Sequence, residues 1–215
     1  MRAILIILLT ASFVYSQTVY EIPFATKGNE IELTVENSST IALQNVKIEA
    51  IDLPTWIKFT LEEETIKELK GNSESTTTFK FSVAKEAPVK EETALTFKIT
   101  NSRGESWNKE ITVSVSAPNK FELNQNYPNP FNPTTNISYT IPQVGTQDHA
   151  SLQLKIFDIL GREVETLVNE EQKPGFYKVG WNANNYASGM YIYQLSISRN
   201  TADQKVIRKK MLLLR

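Results

Sequence analysis

From about residue 30 onward the chain alternates apolar and polar positions with a period of two. Ile31, Leu33 and Val35 alternate with Glu32, Thr34 and Glu36, and Val46, Ile48 and Ala50 with Lys47 and Glu49. Phe79, Phe81 and Val83, then Leu95, Phe97 and Ile99, then Ile111, Val113 and Val115 repeat the pattern. Such alternation sends successive side chains to opposite faces of a strand, one toward a core and one toward water. Turn formers separate the runs at Lys27-Gly28-Asn29, Asn37-Ser38-Ser39, Lys70-Gly71-Asn72 and Asn101-Ser102-Arg103-Gly104. Glu62 to Leu69 has the composition of a helical turn or two, but it is short and sits inside a strand series. It reads as a loop leading into a strand. About seven short strands at this spacing predict an Ig-like β-sandwich.

Ala117-Pro118-Asn119-Lys120 ends the first series. Proline cannot donate to a ladder, so the boundary falls here. Prolines 118, 128, 130 and 133 stiffen the entry to the second half. Alternation then resumes at Ile137, Tyr139 and Ile141, and at Leu152, Leu154 and Ile156. Glu163 to Val168, Lys178 to Trp181, Tyr191 to Ile197 and Val206 to Leu214 read as further strands. The expected fold is all-β: two tandem Ig-like β-sandwich domains, 17–117 and 118–215.

The N-terminus obeys a different rule. Arg2 gives a positive start, Ala3 to Leu9 is apolar, and Val14-Tyr15-Ser16 precedes Gln17. That is the pattern of a secretory signal peptide, residues 1–16, cut before Gln17. The apolar run is shorter than the ~20 residues that span a bilayer, so a cleaved signal is favoured over an anchor, leaving no integral membrane span. There is no cysteine, which excludes disulfides, thiolate nucleophiles and thiolate metal sites. Residues 17–117 hold 11 Lys+Arg against 16 Asp+Glu, a net of −5, and residues 118–215 hold 11 against 8, a net of +3. Neither half has the basic bias of a nucleic-acid binder.

Candidate chemistry is sparse. His149 is the one histidine and lies in the polar stretch Gly145 to His149, which reads as solvated. Histidine-based triads and metal sites are therefore unavailable. Glu62, Glu63 and Glu64 read as a solvated run; a glycosidase needs two carboxyls about 5–9.5 Å apart across a cleft. No phosphate-binding glycine spacing occurs. The chain is expected to carry no catalytic, cofactor or metal site. Gly161, Gly175 and Gly189 read as turn glycines. Tyr191 and Tyr193 share a face with Leu195, and Trp107 with Ile111 and Val113, so all read as core. Trp56 falls outside a clear strand and reads as partly exposed. Lys205, Arg208, Lys209, Lys210 and Arg215 crowd the last run without an acid between them, as in a sheet edge blunted by charge. In Tyr127-Pro128-Asn129-Pro130-Phe131-Asn132-Pro133, proline fixes φ, asparagine caps turns, and the two aromatics are expected to pin the segment to the sandwich.

After that segment come Leu160-Gly161-Arg162-Glu163-Val164, Pro174-Gly175-Phe176-Tyr177, Ala187-Ser188-Gly189-Met190-Tyr191-Ile192-Tyr193, and Lys209-Lys210-Met211 to Arg215. In that order the blocks resemble the type A C-terminal sorting domain of the Por (type IX) secretion system, over Phe121 to Arg215. The resemblance implies that the type IX machinery reads this half at the outer membrane, after passage through the periplasm. It implies a sortase-like peptidase as a further partner, and either attachment of the passenger to surface lipopolysaccharide or its release. Gly28 to Asn37, Leu53-Pro54-Thr55-Trp56 and Leu69 to Ser73 resemble NEW3-like immunoglobulin-type modules, which implies an extracellular spacer. The function expected is a secreted or cell-surface protein with a structural or adhesive passenger; the alternative is a carbohydrate-binding or accessory module of a degradative system.

Overall fold

The computed structural model describes residues 2–7 (backbone only), 18–143, 149–198 and 204–214. The expected cut before Gln17, the loop residues 144–148 and Arg215 lie outside them. The chain divides into two compact units, Met1–Ser116 and Ala117–Arg215. Both are built from strands, as the alternation predicts.

The first unit holds β1 (Arg2–Ile7), β2 (Val19–Ile22), β3 (Asn29–Asn37), β4 (Leu43–Ile51), β5 (Ile57–Phe59), β6 (Glu63–Leu69), β7 (Ser73–Val83), β8 (Glu92–Thr100) and β9 (Ser106–Val115). They form two sheets, β1-β3-β7-β5 and β2-β9-β8-β4-β6. Only β1–β3 and β2–β9 are parallel pairs. The alternating apolar sets meet between the sheets: Leu33, Val35, Ile48, Leu95 and Phe97 are almost wholly buried. Phe59, Phe79 and Phe97 pack with ring centroids 5.2–6.1 Å apart, joining one sheet to the other. Each such buried side chain contributes about 1.5–3 kcal/mol.

Glu63 to Leu69 is a strand rather than a loop, with the bend confined to Glu62. It is an edge strand that buries only Leu69 fully, so its apolar signal is faint, and its register is set by β4. The Lys47 ammonium sits 2.6 Å from Glu63 across that pair. Trp107 and Trp56 are both half-buried and packed against the core. Asn37 staples the β6–β7 corner: its amide donates to the carbonyls of Ile41, Leu69 and Lys70 at 2.9–3.1 Å. Gly71 lies against the same corner so closely that a Cβ there would overlap the Thr40 carbonyl.

The second unit holds β10 (Glu122–Leu123), β11 (Thr134–Ile141), β12 (Ala150–Phe157), β13 (Glu163–Gln172), β14 (Gly175–Asn182), β15 (Gly189–Ser198) and β16 (Gln204–Leu213). Its sheets run β10-β11-β14 and β13-β12-β15-β16, all antiparallel. Ile137, Tyr139, Leu154, Tyr193, Leu195 and Leu213 are fully buried between them. Register shifts in the β12–β13 pair leave Glu165 opposite Ile156, an inward position; such bulges re-aim side chains. Its carboxylate accepts the Trp181 indole N–H at 2.8 Å and the Tyr186 hydroxyl at 3.3 Å. Among the described residues no buried side-chain nitrogen or oxygen lacks a partner.

Candidate functional site

The prolines of 127–133 prevent a regular strand, and the segment instead straps the edge of β16. The three X–Pro bonds at Pro128, Pro130 and Pro133 are cis. The strap is anchored at both ends. At one end Tyr127 exchanges two backbone hydrogen bonds with Asn136, both 2.9 Å. At the other, the Pro133 carbonyl accepts the Ala183 N–H at 2.9 Å.

Beneath it lies a buried polar cluster. Asn126, 2% exposed, donates through its side-chain amide to the Pro128 carbonyl and the Thr135 hydroxyl, each at 3.0 Å. Thr135 in turn donates to Pro128 at 2.8 Å. The Tyr193 hydroxyl accepts the Asn126 N–H at 3.0 Å and donates to the Asn124 carbonyl at 2.9 Å. Burial pushes the Tyr193 hydroxyl up to about 12, against the opposing bond from Asn126. Tyr139 is also raised to about 12 by burial, opposed by its 3.0 Å bond to Gln172.

The strap and the adjoining Gln125 meet the β16 end of the chain through four hydrogen bonds, and the strap's one buried ring sits on β14. Phe131 N–H donates to the Leu212 carbonyl and Leu214 N–H donates to the Phe131 carbonyl, both at 3.0 Å. The Asn129 side-chain oxygen accepts the Leu212 N–H at 2.9 Å, and the Gln125 side chain donates to the Lys210 carbonyl at 2.8 Å. The Phe131 ring, 2% exposed, packs 5.5 Å from Trp181. Tyr191 packs on the same indole at 5.4 Å and donates its hydroxyl to the Ala187 carbonyl at 2.7 Å.

The two aromatics of the strap therefore differ. Phe131 pins the segment as expected. Tyr127 does not: its side chain is 80% exposed, because the backbone pairing with Asn136 turns it outward. Pro128, Asn129, Pro130 and Asn132 are exposed as well. Gly189 starts β15 opposite Leu213, so it lies within this assembly.

Gly161 and Arg162 sit in the β12–β13 turn. Gly161 has φ +79°, a conformation that favours glycine. Asp158 accepts the backbone N–H of Leu160 and Arg162 and pairs with the Arg162 guanidinium at 2.7 Å. Burial pushes the Asp158 carboxyl upward, but these bonds outweigh it and hold the group below its ordinary value. Ile159 and Leu160 project from this turn, 70% and 73% exposed. Pro174 and Gly175 are not near the strap. Gly175 pairs with Ile141 at the far end of β11 from Thr134, some 24 Å away at about 3.4 Å per residue.

Lys209 and Lys210 face opposite sides of the sheet. Lys210 is exposed beside Ile192, and half-buried Lys209 lies opposite Tyr193. Asn126, Thr135, Gln125 and Trp181 do much of the positioning, and the sequence pattern marks none of them as part of a site. Asn126 stands next to the Tyr127 block, but no periodicity distinguishes it.

His149 is exposed. Among the described residues no group of three or more His, Cys, Asp or Glu could hold a metal ion, and no helix is long and apolar enough to cross a membrane.

No curated protein matches the chain. Among solved structures, the Pseudomonas aeruginosa CupB2 chaperone overlaps 91% of this chain and 99% of its own at 12% identity and a TM-score of 0.31. Dimeric latent PorU from Porphyromonas gingivalis overlaps 93% of this chain and 19% of its own at 10% identity and a TM-score of 0.37. At these scores neither overlap defines a function for this chain. The family model described as "Secretion system C-terminal sorting domain" matches residues 125–209, a span that starts at Gln125 under the strap and runs into β16. Over that matched span the second unit of this chain carries a type IX secretion C-terminal sorting domain.

Proposed function

We propose that this chain is a bacterial surface or secreted protein in which residues 118–215 direct outer-membrane translocation of residues 17–117, after removal of residues 1–16. The observation that carries this reading is the strap on β16. It ties the family's first motif block to its last, so these two blocks act through one folded surface rather than as a linear tag. The passenger is a structural or adhesive module. Trp56 and Trp107 support that assignment, because both pack against the first unit's core instead of forming an exposed platform for sugar. A sortase-like peptidase and lipopolysaccharide attachment fit the same export route.

The test is a fusion of residues 118–215 behind a signal peptide and a neutral reporter, expressed in a type IX-competent host. The reporter reaches the surface or medium. A folded, stable reporter held in the periplasm overturns the export reading.

A further inference from the structure

β16 is closed along only half of its outer edge. The bonds to the strap use the backbone of Lys210, Leu212 and Leu214, so even-numbered residues point their N–H and C=O away from β15. By the same alternation Val206 and Arg208 point theirs off the sheet. Among the described residues nothing bonds to those groups. Side chains on this stretch are cationic: Lys205, Arg208, Lys209 and Lys210 are exposed or half-buried, and among the described residues no carboxylate pairs with any of them.

We infer that the open edge from Val206 to Lys210 is a strand-addition site for an acidic, extended segment of a partner protein. This rests on the export reading and names the chemistry of what reads the domain. Unpaired strand edges accept a further strand through main-chain bonds, and alternate side chains give selectivity. Opposite charges across such a pair stabilise it and like charges oppose it. Acidic side chains on one face of the added strand meet Arg208 and Lys210; those on its other face meet Lys205 and Lys209. A second copy of this chain is disfavoured, since edge-to-edge pairing of two β16 strands sets these cations against each other. A lipid surface satisfies the charge but offers no ladder for the N–H and C=O of Val206 and Arg208. The strap sets the limit of the site: Gln125 at Lys210 and Asn129 at Leu212 stop the added strand after about five residues, an ordinary strand length.

The probes are a short synthetic peptide alternating glutamate and valine, its lysine-for-glutamate counterpart, and phosphatidylglycerol vesicles. The readout is amide hydrogen exchange at Val206 and Arg208 in the purified full chain. The acidic peptide slows exchange at both amides by about tenfold or more, as new ladder bonds do, and the lysine peptide does not. Val206→Pro, read at the Arg208 amide, abolishes the effect. Its ring removes an outward N–H without touching the bonds to β15, and edge positions tolerate proline. Arg208→Glu with Lys210→Glu reverses the preference toward the lysine peptide. Equal protection by both peptides, protection by vesicles alone, or no protection by the acidic peptide overturns the inference.

The two readings also separate in cells. If the reporter fusion is exported and both folded variants of it are exported equally well, strand addition at this edge is wrong and the export reading stands. If the unaltered fusion is not exported, the export reading fails and the peptide experiment decides strand addition alone.

Discussion

Phe131→Ala removes the strap's packing while leaving its backbone hydrogen bonds chemically available. The ring is 2% exposed and lies 5.5 Å from Trp181, so truncation opens a cavity between the strap and the sandwich. A buried Phe→Ala change costs about 3–5 kcal/mol. The second unit spans Ala117–Arg215, a size at which each kcal/mol moves the midpoint by roughly 4–8 °C. The product is a fall of roughly 12–40 °C for that unit. Calorimetry of the full chain gives the midpoint. Amide exchange at Leu214, whose N–H donates to Phe131, reports locally on the strap. The control lies in the same motif: Tyr127→Ala, at a side chain 80% exposed, changes stability by no more than about 0.5 kcal/mol. If Phe131→Ala moves the midpoint by less than about 4 °C, or if Tyr127→Ala matches it, the strap is not held by its buried ring.

Alkaline pH weakens the second unit. Tyr139 and Tyr193 titrate at about 12 in the fold against 10.0 for the free group, so the fold favours the neutral phenol. That stability is fully present below pH 10 and is lost as pH rises from 10 to 12, by up to about 3 kcal/mol for each tyrosine. Denaturant titrations across that range measure it, and a flat profile refutes it. Gly71→Ala drives a methyl into the Thr40 carbonyl and lowers the first unit's stability by about 1–3 kcal/mol; an unchanged midpoint shows that the corner gives way freely. N-terminal sequencing of exported protein begins at or within a few residues of Gln17, and an intact Met1 there sinks the signal-peptide reading.

Where strands bury one full face, the sequence is sufficient to find them. Ile31-Leu33-Val35, Leu95-Phe97-Ile99 and Leu152-Leu154-Ile156 alternate cleanly because every second side chain enters a core. β6 escaped because an edge strand with one fully buried residue leaves almost no periodicity. β2, β5 and β10 are too short, at two to four residues, for a period to register. The strap was visible as a motif, but its partner was not. Hydrogen bonds from Leu212 to Asn129 and from Leu214 to Phe131 join residues more than eighty positions apart, and local pattern carries no trace of them. Tyr127 misled for a related reason: aromatic content suggests burial, but the backbone pairing with Asn136 decides which way the ring faces.

The bridge between Phe131 and Leu213 also sets a clock. The two residues are 213 − 131 = 82 positions apart. At about 5–20 residues per second, a ribosome needs roughly 4–16 seconds to pass from one to the other. Throughout that interval the strap lacks its partners Leu212 and Leu214 in and beside β16. Long-range pairings of this kind form slowly in any case, since the closure entropy of the intervening chain must be met first. The pairing of strap and β16 is thus among the last contacts of the unit that synthesis makes available.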